Sequence, residues 1–71
     1  MNMKRIAEDI YHKPVDKSEK IRLLNDMILD CRNELQAQNE NMHPEVKHNL
    51  AEGLRLATDY IRNLEGGHDA L

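Results

Sequence analysis

Histidine, cysteine and paired carboxylates are the residues of this chain whose types could do chemistry. The four histidines are His12, His43, His48 and His68. Two metal ligands on one helix usually lie three or four residues apart so that both reach one ion, but His43 and His48 are five residues apart. We therefore predict no metal site and interpret the histidines as solvated or helix-capping side chains.

Cys31 is the single cysteine, so it cannot form a disulfide within the chain. A reactive thiol needs nearby cations and some exposure. Arg32 follows Cys31 in the sequence, but adjacent residues on a helix point apart. We interpret Cys31 as a small core residue, and a disulfide between two copies in a symmetric dimer stays open.

Three pairs of carboxylates are close enough in sequence to suggest acid and base catalysis. They are Glu8 with Asp9, Asp26 with Asp30, and Glu34 with Glu40. Each pair has polar neighbours on the outward face of a predicted helix, so we expect it to stay solvated. The sequence also lacks the glycine-rich patterns of nucleotide binding and serine hydrolysis. We predict that the protein is not an enzyme and needs no cofactor.

Three predicted helices position these residues. The apolar spacing indicates helices over residues 3–12, 17–41 and 44–65, followed by a mobile tail over 66–71. Because the break between the two long helices is short, they should be antiparallel neighbours. We therefore predict one all-α domain over residues 1–71. It consists of a short amphipathic helix and an antiparallel helical hairpin, which dimerises into a four-helix bundle.

Start and stop signals support these helix limits. Pro14 ends the first helix, because the residue before a proline is disfavoured in the helical region. Asp16 and Glu19 have the spacing of a capping box, in which each side chain accepts from the other residue's backbone N–H. Pro44 suits the first position of the third helix, and Gly66 suits a final position with positive φ.

The seam between the two long helices is the predicted core. Its residues recur three and four positions apart, which gathers them on one side of each helix. They are Ile21, Leu24, Ile28, Cys31 and Leu35 in the second helix, and Leu50, Gly53, Leu54, Ala57, Ile61 and Leu64 in the third. Gly53 and Ala57 carry little bulk, so we expect a neighbouring backbone to approach the third helix closely there.

The second helix carries more apolar surface than one neighbour can cover. We predict a partner-binding surface formed by Leu23, Met27, Leu29, Leu56 and Tyr60. The first helix, a second copy or another protein could cover this flank. A homodimer with two-fold symmetry is the favoured assembly, and the expected function is that of a small regulator or adaptor that binds another protein of unknown identity.

Charge and hydropathy limit the remaining classes of partner. The 71 residues carry a formal net charge of −3 with acids and bases interspersed, which argues against duplex DNA. A basic cluster lies between Lys13 and Arg22, with Lys17 and Lys20, so contact with RNA or an acidic partner stays open. No apolar run reaches the roughly 20 residues of a membrane span. We expect a cytoplasmic protein that does not bind membranes.

The predicted hairpin resembles small bacterial families in its architecture. A long helix, a polar corner and a second helix ending in the acidic, glycine-containing tail 66–71 are similar to the plasmid copy-number protein Rop. That likeness implies a dimeric four-helix bundle that binds paired RNA loops, although the basic and aromatic face of Rop has no match here.

Two further likenesses imply binding to proteins. Residues 24–64 resemble the small co-chaperones of type III secretion needle subunits, which are hairpins that work by protein contact. The hairpin is also similar to sporulation phosphatases that act on phosphorylated response regulators. Where those carry Ser-Gln-Glu-Leu-Asp, this chain reads Asn-Leu-Ala-Glu-Gly over residues 49–53, without the acidic residue of that motif.

Overall fold

Three helices make up the regular structure of the described part of the chain. The computed structural model describes residues 2–37 and 43–66, in which α1 spans Met3–Tyr11, α2 spans Lys17–Ala37 and α3 spans Pro44–Leu64. No strand occurs within these residues, so the all-α class is confirmed. The predicted extension of α2 to Asn41 and the predicted tail from Gly67 onward lie outside the described residues.

Short polar side chains and one proline start the helices. The Asn2 side chain accepts a hydrogen bond from the backbone N–H of Arg5 at the start of α1. Asp16 Oδ1 accepts from the Glu19 N–H at 3.0 Å at the start of α2. Both bonds satisfy N–H groups that have no partner inside the helix. Pro44 is the first residue of α3, as its fixed φ favours.

The reciprocal half of the predicted capping box is wrong. The Glu19 carboxylate forms two hydrogen bonds with the Arg22 guanidinium, at 3.1 and 2.6 Å. Hydrogen bonding to Arg22 lowers the pKa of Glu19, and the opposite charge of Arg22 acts in the same direction. Arg22 lies one turn ahead on the same face and carries a full charge, so it attracts Glu19 more strongly than the Asp16 N–H does.

The helix ends agree with the expected stop signals. His12 caps α1, and its N–H donates to the Glu8 carbonyl at 3.0 Å. At the end of α3 the Gly66 N–H donates to the Asn63 carbonyl at 3.1 Å. Gly66 has a φ of 77°, a conformation that residues with a Cβ adopt at a cost.

The buried core involves all three helices. Its side chains are Ala7 from α1, Leu24, Met27 and Cys31 from α2, and Leu50 and Ala57 from α3. Ala7, Leu24 and Ala57 are fully inaccessible to solvent. α1 packs on both long helices, and its contact with α3 is the larger one. The predicted seam omitted Ala7, because it was built from the two long helices alone.

Other seam residues lie at the edge of this core. Partly buried side chains that pack against it include Ile28, Leu35, Leu54, Ile61 and Leu64. Ile21 is half-buried and lies outside the core cluster. The predicted seam is therefore divided into a sealed centre, around Leu24 and Cys31, and a margin that solvent still reaches.

The close approach expected at Gly53 is made by α1. A Cβ added at Gly53 would overlap Met3 Cβ, and it would lie 3.2 Å from both the Met3 backbone carbon and Met27 Cε. A glycine is therefore required where the start of α1 crosses α3. Met27 fills the remaining space at this crossing from α2.

No helix within the described residues is both long enough and apolar enough to cross a bilayer.

Candidate partner-binding surface

The five residues of the predicted partner-binding surface do not form one exposed patch. Met27 is only 6% exposed and belongs to the core, so among the occupants that the sequence left open for this flank, the first helix covers Met27. α1 covers this flank of α2, as the position of Met3 against Gly53 and Met27 indicates. Leu23, on the same flank, is half-buried.

Leu29 and Leu56 lie on different helices. Leu29 is 58% exposed on α2, in a helical position with Arg22 and Asn33 as its polar neighbours. A single exposed leucine among polar residues is common on protein surfaces. Leu56 is half-buried and lines a shallow hollow on α3 together with Lys4, Glu52, Arg55 and Asp59.

Tyr60 is engaged with α1. Its ring stacks on Tyr11 with centroids 4.1 Å apart and an angle of 12° between the planes. The Tyr11 hydroxyl accepts a hydrogen bond from Asn63 Nδ2 at 2.9 Å, and Lys20 Nζ lies 5.6 Å from the centre of the Tyr11 ring. Burial raises the pKa of Tyr60, with a smaller contribution from the charge of Glu8. These contacts fix the end of α1 to both long helices.

The contacts of α1 identify the side of the α2 and α3 pair that it covers. At its start, the Met3 N–H donates to Asn49 Oδ1 at 3.1 Å and Met3 lies against Gly53. At its end, Tyr11 contacts Tyr60 on α3 and Lys20 on α2. Gly53 and Tyr60 are seven residues apart, as are Lys20 and Met27, so each pair marks a single stripe along its helix.

A second set of apolar residues lies next to the α1-contacting residues on each long helix. Each residue that follows an α1-contacting residue is turned by about 100° around its helix. Ile21 follows Lys20, Ile28 follows Met27, Leu54 follows Gly53 and Ile61 follows Tyr60. These four, with Leu35 seven residues after Ile28, are all half-buried large aliphatic side chains. We name Ile21, Ile28, Leu35, Leu54 and Ile61 the aliphatic ridge.

Cationic side chains border the aliphatic ridge. Arg32 lies one turn from Ile28 and Leu35 on α2, and Lys47 lies two turns before Leu54 on α3. Lys17 and Arg62 stand near the ends of the two stripes. We name Lys17, Arg32, Lys47 and Arg62 the basic rim. All four are exposed, and none of them forms an ion pair within residues 2–37 and 43–66.

Acidic side chains are concentrated on other faces. Asp26 and Asp30 are exposed on α2, away from the aliphatic ridge, and Glu52 and Asp59 lie beside Leu56 on α3. Glu65, at the end of α3, is the single acidic residue near the ridge among the residues described. The protein is acidic as a whole but basic around this apolar surface.

The basic cluster near the start of α2 is partly neutralised. Arg22 forms ion pairs with Glu19 at 2.6 Å and with Asp26 at 3.2 Å. Lys20 lies over the Tyr11 ring, while Lys13 and Lys17 are exposed. Two of the four cations therefore have partners, Arg22 in carboxylates and Lys20 in an aromatic ring, and the other two are exposed.

The thiol of Cys31 is sealed in the core. Cys31 is 1% exposed, and burial raises its pKa, with a smaller contribution from Asp30. A raised pKa keeps the thiol protonated and weakly nucleophilic. Sequence reasoning assigned Cys31 correctly to the seam, whereas it missed the aliphatic ridge because the ridge residues were counted as seam residues.

Comparison of the chain with models of protein families, with curated proteins and with solved structures finds no match.

Proposed function

We propose that this protein is a small cytoplasmic, non-enzymatic regulator or adaptor that binds another protein through its helices. The aliphatic ridge carries the proposal. Five large aliphatic side chains in two stripes are only half-buried, so each of them keeps part of its apolar surface accessible to water. Inhibitors, anti-activators and co-chaperones use apolar helix surfaces of this kind.

The proposal includes an antiparallel arrangement of α2 and α3. In such a hairpin the stripe Ile21, Ile28 and Leu35 runs beside the stripe Leu54 and Ile61, with a shallow groove between them. α1 fills the groove on one side of the hairpin. The groove on the other side would receive a helix from a partner, which would complete a four-helix arrangement.

The homodimeric four-helix bundle stays a prediction. A second copy would have to bury the same aliphatic ridge, since the α1 side is already occupied. Two-fold symmetry would then set one basic rim against the other, and like charges in contact oppose association. Binding of a second copy to this surface is therefore less favourable than binding of a different protein.

RNA binding in the manner of Rop is the alternative function. The basic rim is the observation that favours it, since unpaired Lys and Arg side chains bind phosphates. The surface between these cations is aliphatic, however, and aliphatic side chains neither stack on bases as aromatic rings do nor read their edges. Protein binding therefore fits the ridge better.

Photo-crosslinking in the native host tests the proposed function. A photoreactive amino acid would replace Thr58, which is exposed one turn from Leu54 and Ile61, and separate variants would carry it at Leu29 and at Leu56. We expect discrete protein adducts, identified by mass spectrometry, from at least one of these positions. Absence of protein adducts at all three positions, with the chain folded by circular dichroism, would contradict the proposal.

A further inference from the structure

We propose that the aliphatic ridge binds an amphipathic helix of a partner protein whose apolar stripe is flanked by Asp or Glu. This inference rests on the proposed function and adds the binding surface and the chemistry of the partner. It combines two observations: the ridge is half-buried, and the basic rim around it forms no ion pair within residues 2–37 and 43–66.

The dimensions of the ridge fit a helix of about four turns. From Ile21 to Leu35 the α2 stripe covers 14 residue steps, or about 21 Å at 1.5 Å per residue. Ile21, Ile28 and Leu35 repeat every seven residues, as do Leu54 and Ile61. A repeat of seven residues lets another helix insert its own apolar side chains between them along the whole length.

The charged side chains beside the ridge indicate the chemistry of the partner. Cations lie on both borders of the ridge, Lys17 and Arg32 on the α2 side and Lys47 and Arg62 on the α3 side. A helix seated between the two stripes places its flanking residues against both borders. Carboxylates at these flanking positions would pair with the cations, whereas Lys or Arg there would be repelled. A second copy brings the same basic borders with it, so it fits less well than an acidic partner.

A synthetic helix is the direct probe. The peptide would have 18 residues, with Leu at the a and d positions of a heptad repeat and Glu at the e and g positions, and a matched peptide would carry Lys in place of every Glu. Fluorescence anisotropy with the full chain would report binding. We expect the Glu peptide to bind and its affinity to fall as salt is raised, and we expect no binding of the Lys peptide.

Two variants locate the binding surface without disturbing the core. The double variant Arg32→Glu/Arg62→Glu changes exposed side chains, and we expect the affinity for the Glu peptide to fall by about tenfold or more. Ile21→Ser alters a ridge residue outside the core cluster and should also weaken binding while circular dichroism stays helical. The matched control Arg5→Glu/Lys13→Glu makes the same change in net charge at exposed positions away from the ridge, and it should lose much less affinity.

Other occupants of the ridge give different results. Equal binding of both peptides, or equal losses in the ridge and control variants, would overturn the acidic-helix assignment. Two other results would also overturn it. One is that the chain alone forms a dimer at low salt and that Ile21→Ser dissociates this dimer. The other is that an RNA hairpin binds through the basic rim while the Glu peptide does not bind. If cross-linked proteins appear only at Leu29 or Leu56, the proposed adaptor function stands and this surface assignment fails.

Discussion

At position 53 a glycine lies in the middle of a helix, where alanine would ordinarily be favoured by about 1 kcal/mol. The Cβ that alanine adds would overlap Met3 Cβ and lie 3.2 Å from the Met3 backbone carbon. The Met3 backbone cannot move without shifting the start of α1. Gly53 therefore allows α1 to lie close to α3, and the contact that it permits also buries Met27.

Gly53→Ala should destabilise the protein. Overpacking typically costs about 1–3 kcal/mol, which exceeds the gain in helix propensity of about 1 kcal/mol, so we expect a net loss of up to about 2 kcal/mol. Urea unfolding followed by circular dichroism measures it. The control Ala51→Gly reports the propensity effect alone, because Ala51 is exposed on the same helix.

Gly53→Ala should cost less in a Met3→Gly background than in the natural chain, because Met3→Gly removes the Cβ that the new methyl group meets; a double-mutant cycle separates this coupling from the packing that Met3→Gly itself loses. A Gly53→Ala variant more stable than the natural protein would contradict the close approach of α1.

At the scale of the elements, local sequence explains how each helix begins. Asp16 accepts from the Glu19 N–H, while the Glu19 carboxylate turns to Arg22. The two members of the expected capping box therefore have different functions. Asp16 caps the helix. Glu19 forms an exposed ion pair with Arg22, and salt weakens the electrostatic attraction within this pair.

Asp16→Ala should cost about 1 kcal/mol of stability, since it leaves an N–H at the start of α2 without its partner. Glu19→Ala is the matched control from the same turn and should cost less. Thermal unfolding of the two variants at low and high salt measures both effects. The Asp16→Ala loss should persist in high salt, and an equal loss in both variants would indicate that the capping box is reciprocal after all.

At the scale of the whole molecule, α1 decides which surface is left open. It lies along one side of the α2 and α3 pair and buries the flank around Met27. The aliphatic ridge stays half-buried, and the cations that border it form no ion pair within residues 2–37 and 43–66. The net charge of the chain is −3, whereas the side chains that border the ridge are mostly basic, and this contrast is the basis of the proposed acidic partner.

The mass of the isolated chain should depend on salt. Because two basic rims repel each other, we expect light scattering behind size exclusion to give a mass near 8.3 kDa at low ionic strength. Raising the salt shortens the range of this repulsion and strengthens the burial of apolar surface, so the mass should move toward that of a dimer. A stable dimer at low salt would favour the homodimeric four-helix bundle instead.

The sequence by itself determined where the helices lie, because capping residues, Pro44, Gly66 and apolar spacing act within a few residues of each position. It also indicated that Gly53 and Cys31 face inward. The tertiary structure alone decided which neighbour each face meets. Helical periodicity gives the angle of Met27 and of Ile28 around α2, but it does not say that the first is buried beside α1 while the second stays half-buried. That choice depends on the contacts of Met3 with Gly53 and of Tyr11 with Tyr60, between residues far apart in the chain.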